Sequence, residues 1–199
     1  QEDVPGTSGR IADVTTQSME AYNYYLRGKE DYEKFYSTDA RKFMEKAVTL
    51  DSTFAIAYLY LAWIYGELGD EQAKARAYKN ALKYSKSAGE KERLYIEVSY
   101  SYFMERNRNR TIEILTKMAQ RFPAEKRVHW DLANLLRGGG FYEQAIREFK
   151  KVLELDPDNG LALNALAFTY TLVGNYQNAE KCLQQYATIS PGDANPFDS

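Results

Sequence analysis

The sequence predicts an all-α fold, an α-solenoid of antiparallel helix pairs, and two observations carry that prediction. First, several residue types recur at one fixed interval. Pro123, Pro157 and Pro191 lie 34 residues apart, as do Gly140 and Gly174, Tyr142 and Tyr176, and Ala145 and Ala179. Second, apolar residues fall on helical stripes. Phe54, Tyr58, Leu61, Tyr65 and Leu68 make one, and Tyr142, Ala145, Ile146, Phe149, Val152 and Leu153 make another. No stretch sustains a two-residue alternation, so about ten helices and no sheet are expected. A unit of this kind cannot bury its own apolar face. The units must stack, and stability is roughly a sum of neighbour interfaces.

Five units follow one another. Residues 21–54 supply Tyr24, Gly28, Ala40, Met44 and Ala47. Residues 55–91 open with Tyr58, Leu61, Ala62, Tyr65 and Gly69. Residues 92–125 carry Tyr95, Val98, Ser99 and Tyr102, then Thr111, Leu115, Met118 and Pro123. Residues 126–159 carry His129, Leu132, Ala133 and Leu136, then Ala145, Phe149, Val152 and Pro157. Residues 160–193 carry Leu163, Leu166, Ala167 and Tyr170, then Ala179, Leu183, Tyr186 and Pro191. The order W-x2-L-G-x2-Y, then A-x3-F, then P, at this period, resembles the tetratricopeptide-repeat (TPR) family. The resemblance covers most of the chain and implies a TPR superhelix of about five repeats plus the start of a sixth. Three departures stand out. Arg27 replaces the usual Leu, Ser52 replaces a closing Pro, and the second unit runs to 37 residues, with three extra near Ser87–Gly89.

Local chemistry agrees with helix pairs. Gly28, Ala62, Ser99, Ala133 and Ala167 are small enough to let paired helices approach, with Ala40, Ala145 and Ala179 opposite. Asp70 suits an N-cap, and Ser87 with Glu90 fits a capping box. Gly140 and Gly174 suit the turns within pairs. Residues 1–17 read as a linker, 18–193 as the solenoid and 194–199 as the opening of a truncated further repeat. Asn195-Pro196-Phe197 is also a short ligand motif for endocytic adaptors, although the start of a repeat helix accounts for it without a partner. Ser18-Met19-Glu20-Ala21-Tyr22 and Tyr25-Leu26-Arg27-Gly28 resemble the entry to TPR arrays of bacterial multidomain regulators. With Gln1 at the start, the chain is expected to be a cytoplasmic or periplasmic domain of a longer protein.

Composition argues against several classes of function. The 26 basic and 28 acidic side chains leave a net charge of −2, which gives no general attraction to nucleic acid or anionic lipid. No apolar run approaches the ~20 residues of a membrane span. Cys182 is alone, and His129, the one histidine, occupies the large packing slot that opens a repeat. A histidine- or thiolate-rich metal site is therefore not expected, nor a catalytic constellation, nor a cofactor. Gly138-Gly139-Gly140 lacks the pattern of a phosphate loop and reads as a turn. Asn109-Arg110-Thr111 matches a glycosylation sequon, and a polar turn explains it equally well.

The aromatic count points to function. There are 17 Tyr, 9 Phe and 2 Trp residues. The family resemblance implies that the first helix of each pair lines a concave side. Helical spacing then places Tyr22, Tyr25, Lys29, Tyr32, Ile56, Leu59, Trp63, Glu67, Arg93, Ile96, Tyr100, Phe103, Arg127, Trp130, Asn134, Arg137, Leu161, Asn164, Phe168 and Thr171 on that side. Interfaces are enriched in such rings and in Arg, although any one ring can equally serve the core. The expected protein- or peptide-binding residues are Tyr25, Trp63, Arg93, Tyr100, Arg127, Trp130, Asn134, Asn164 and Phe168. Arginine would meet carboxylates, and the side-chain amides would meet a peptide backbone. The expected function is a non-catalytic interaction scaffold for a peptide with apolar anchors and some acidic character. Self-assembly or a spacer role within a larger signalling protein is the alternative.

Overall fold

The structure, a computed structural model, describes residues 16–189, and these form ten α-helices, one short 3-10 turn and no strand. The chain divides into two compact units, residues 1–107 and 108–199. The first holds α1 (Met19–Glu33), α2 (Ser37–Leu50), α3 (Ala55–Glu67), α4 (Glu71–Tyr84), the 3-10 turn Ser85–Ser87 and α5 (Glu90–Phe103). There α1 packs on α2 and α3 on α4, while α5 lies against α3 and α4. The second holds α6 (Arg108–Arg121), α7 (Lys126–Gly138), α8 (Tyr142–Leu155), α9 (Gly160–Leu172) and α10 (Tyr176–Ile189). There α7 pairs with α8 and α9 with α10, and α6 packs on α7. Each unit thus holds two of the expected antiparallel helix pairs and one further helix. The NPF motif, the six-residue start of a further repeat and most of the N-terminal linker lie outside the described residues. Thr16, counted with that linker, is buried and accepts the Ser18 backbone N–H at 3.1 Å.

Small residues at the crossing points set how closely the helices approach. Ala40, Ala62, Ala133 and Ala145 have no exposed surface. A Cβ on Gly28 would stand 3.0 Å from Met44 Cγ and 3.1 Å from the Ala40 carbonyl oxygen. Between these contacts sit the large side chains: Phe54, Leu59 and Tyr78 in the first unit, Val128, Phe149 and Leu163 in the second. His129 belongs with them at 5% exposure. Its Nδ1 lies 2.7 Å from Glu148 Oε2 and its Nε2 lies 3.0 Å from the Pro123 carbonyl oxygen, so the buried ring keeps partners for both nitrogens.

Five of the connections pass through one residue in the left-handed region. These are Phe35 (φ 63°), Gly69 (76°), Arg106 (51°), Gly140 (82°) and Gly174 (74°). At four of them the next residue donates its N–H five residues back: Tyr36 to Asp31, Asp70 to Tyr65, Phe141 to Leu136 and Asn175 to Tyr170. That bond is the signature of a Schellman C-cap, which satisfies a carbonyl the helix end would orphan. At the fifth turn the bond reaches back to Ser101 instead, one residue further. The side chains of Ser18, Asp70 and Asn159 accept N–H groups and start α1, α4 and α9.

Three local expectations differ from what is observed. Ser87 and Glu90 do not form a capping box: the N-cap of α5 is Gly89, and the Ser87 hydroxyl donates back to the Tyr84 carbonyl. The 3-10 turn points that hydroxyl away from α5. The three extra residues are also not gathered near Ser87–Gly89. The stretch before α5 has five residues (85–89) against four (51–54) before α3; α5 has 14 against 13; the turn after it has four (104–107) against three (68–70). Asn109-Arg110-Thr111 lies in the first turn of α6 rather than in a loop, with Thr111 fully buried.

Phe35 is 86% exposed, so its ring contributes little packing while its backbone bears the left-handed strain. Phe35→Gly should leave stability unchanged or raise it by up to about 1 kcal/mol. Gly140→Val should lower it by about 1–3 kcal/mol. Urea unfolding of both variants checks the pair of signs.

Candidate functional site

The residues expected to bind fall into two sets, one in each unit. In the first unit most of the rings build structure. Tyr25, expected on the open side, is only 9% exposed and sits with Phe54 at 5.2 Å and Tyr60 at 5.5 Å between ring centroids. Arg27 points to solvent, and Tyr25 lies on the buried stripe of α1 with Ala21 and Gly28. Burial, then the neighbouring Tyr60 hydroxyl, pushes the Tyr25 hydroxyl well above the usual phenol range. Leu59 and Ile96, at the corresponding place in α3 and α5, are fully buried too.

Trp63 is half-buried, packed against Tyr60 at 4.9 Å and stacked on Tyr32 at 6.2 Å. Its indole N–H donates to the Tyr78 hydroxyl, which burial pushes up and this bond partly lowers. Tyr100 lies edge-on to Tyr78. Arg93 is half-exposed beside Glu97, its Nε 3.8 Å from the carboxylate. Of this set, only Arg93 remains mainly a surface group, because the rings meet one another before they can meet a ligand.

The second unit is different. Arg127, Trp130, Asn134 and Arg137 follow one face of α7 at spacings of three, four and three residues. Leu161, Asn164 and Phe168 do the same on α9. Between the two helices lies an open cleft of about 190 Å³. Trp130, Val152 and Leu161 supply its apolar surface, and Lys126, Arg127 and Asn159 its rim. Trp130 leans edge-on against the core ring of Phe149 at 5.6 Å. Leu161 and Phe168 are 72% and 52% exposed. Lys126, Val152 and Asn159 were not legible as site residues: Val152 reads as core, and Asn159 as the N-cap that it also is.

The polar groups on this face are not equivalent. Arg127 Nε donates to both carboxylate oxygens of Asp131 at 3.0 and 2.9 Å. Lys126 is ion-paired with Asp156, whose carboxyl Lys126 and Asn159 hold below the usual range. Both rim cations therefore already have counter-charges. Asn134 is committed as well: its Nδ2 donates to the Trp130 carbonyl and its Oδ1 accepts from Arg137 Nη2, both at 2.9 Å. Among the described residues, nothing hydrogen-bonds the half-buried Asn164 amide. The Arg137 guanidinium lies 5.6 Å from the Phe149 ring centre and 5.7 Å from that of Phe168. Among the described residues, no three His, Cys, Asp or Glu side chains cluster as metal ligands would, and no helix is long and apolar enough to cross a membrane.

A family profile described as Tetratricopeptide repeat matches residues 138–196, which run from the end of α7 through α10. Over this stretch the chain matches the tetratricopeptide-repeat family. No curated protein matches its sequence. Among solved structures, YrrB, described as a TPR protein with an unusual peptide-binding site, aligns with a TM-score of 0.60 and 19% identity. That alignment covers 89% of this chain and 90% of YrrB. A structure of MamA (AMB-1) aligns with a TM-score of 0.64 and 20% identity over 85% of this chain and 99% of its own. PilW, described as a widely conserved type IV pilus biogenesis factor, gives 0.74 and 17% over 89% and 80%. At these identities the likeness is one of fold.

Asp131 is the weak point of this face. Burial raises its carboxyl above the usual range, against the opposing pull of Arg127. A raised folded-state value means that the native state holds the proton more tightly than the unfolded chain. The Asp131 contribution to stability therefore declines as pH rises from about 4, the unfolded value, through the raised folded value. Asp131→Asn should remove that slope and change stability at pH 7 by less than about 1 kcal/mol. Urea titrations of both proteins between pH 3 and pH 7, on the order of the range set by these values, test it.

Proposed function

We propose that this chain is a non-catalytic scaffold that holds a protein or peptide segment on the α7–α9 face of its second unit. One observation carries the reading. Leu161 and Phe168 stand exposed two turns apart on α9, with the unengaged Asn164 amide between them and the Trp130 cleft beside them. Exposed apolar anchors around a polar group able to donate and accept are what a peptide backbone with side-chain anchors requires. The cleft offers space for a single side chain. YrrB, which shares the fold, is described as having a peptide-binding site, and that supports a ligand of the same class.

The exposed residues are also the cleanest probes. Trp130→Ala would remove a ring that packs on Phe149 and so confuses folding with binding. Leu161→Asp and Phe168→Ala change little of the core. With the unaltered chain and the double variant as baits in parallel pull-downs, at least one protein should be retained about tenfold more by the unaltered bait, at equal helicity by circular dichroism. Equal retention of every protein would remove the α7–α9 face from the account.

A further inference from the structure

We infer that the ligand of this face is an extended segment carrying an acidic side chain three residues from an apolar one, with Arg137 as the receptor for the acid; this rests on the peptide-binding reading above. Arg137 differs from its neighbours. Arg127 and Lys126 face carboxylates of their own, whereas no carboxylate among the described residues pairs with Arg137. Its position is nevertheless fixed. Two rings hold the guanidinium, and the Asn134 oxygen takes one of its N–H groups. A guanidinium has five donors in a rigid fork, so most remain for a ligand. The C-terminal end of α7 and the ring faces favour a cation at this place, but they do not neutralise it. A half-buried, oriented and uncompensated cation is complementary to a carboxylate, and the resulting bond is charge-assisted.

Spacing determines the ligand's form. Trp130, at the cleft, and Arg137 are seven residues apart on one helix, about 10.5 Å along its axis. A polyproline-type extended chain returns a side chain to the same face every third residue, about 9.3 Å on. A helical ligand would need a separation of seven residues. The Asn164 amide chooses between these. It has no partner among the described residues, and only an extended backbone has free N–H and C=O groups to offer it. A helix has already paired its own.

The probes are fluorescent dodecapeptides with blocked termini, so that the only carboxylate is a side chain. Each carries one Phe and one Glu, in either order, at every separation from one to seven on a Gly/Ser/Pro background, with Gln and Lys versions of each. The expected result is that Glu at a separation of three binds about tenfold tighter than Gln, with Lys weakest. Arg137→Gln should abolish the preference for Glu over Gln, and Arg137→Lys should retain part of it. If Arg137→Gln keeps the full preference for Glu, the acid receptor is wrong and the peptide face stands. If no peptide is sensitive to Leu161→Asp or Phe168→Ala, the peptide-binding reading itself fails. If a separation of seven wins, the extended form is wrong. An oligouridylate that binds tighter than every peptide and is lost in Arg137→Gln would reassign the cation to nucleic acid. Self-association that buries the face, seen as a mass increase suppressed by Phe168→Ala, would give it to a second copy of the chain.

Discussion

The close approach of helix backbones at small residues underlies everything else in this structure. Gly28 against Ala40 and Met44 shows how little room remains, because even one added carbon meets atoms at 3.0–3.2 Å. With the pairs at that separation, large side chains on either side of the crossing interdigitate, and Phe54 and Phe149 become fully buried. A helix pair held this tightly needs a connection of fixed length. The left-handed residue and its backward hydrogen bond provide that in four of the five turns.

The same position in successive repeats takes on opposite duties. Tyr25, Leu59 and Ile96 are core in the first unit, while Trp130 and Asn164 keep part of their surface in the second. The first unit uses aromatic rings as filling, in a chain of contacts that runs Phe54, Tyr25, Tyr60, Trp63. The hydroxyl groups let such large rings reach the edge of the core without stranding a polar atom, as where Tyr65 donates to Glu45 at 2.8 Å. Burial first, and that bond next, push the Tyr65 hydroxyl up to about 12. The second unit spends fewer rings this way and leaves a face where charge, amide and apolar surface are all within reach of an outside chain.

Much of this was legible in the sequence, and the failures share a cause. Helix pairs, small crossing residues, the Asp70 cap and the glycine turns all follow from residue type at a fixed interval. Phe35 and Arg106 adopt the same left-handed geometry as the glycines without being glycine, so type gave no warning; their position in the period did. Tyr25, Leu59 and Ile96 depart from the expectation together, because the buried stripes of α1, α3 and α5 are wide enough to include this position, and a period alone does not give a stripe's width. At the candidate site, the spacing identified the faces of α7 and α9. It could not reveal that Asn134 and Arg127 are already engaged and Asn164 is not, since those facts depend on which rotamers meet. The cleft was hidden for a similar reason: Val152, at its floor, belongs to a packing stripe and is fully buried.

The distribution of the three extra residues bears on how such a chain can change length. Every second helix along the chain, α2, α4, α6, α8 and α10, has 14 residues. The additions lie one in the connection, one in α5 and one in the turn. Second helices therefore act as the ruler of the gene, and the stretch between them is where length is negotiated. A duplication or exchange cut within second helices would carry over a whole module in register. The same cut around α5 would import a module of different stride, and every side chain downstream would meet a partner meant for its neighbour.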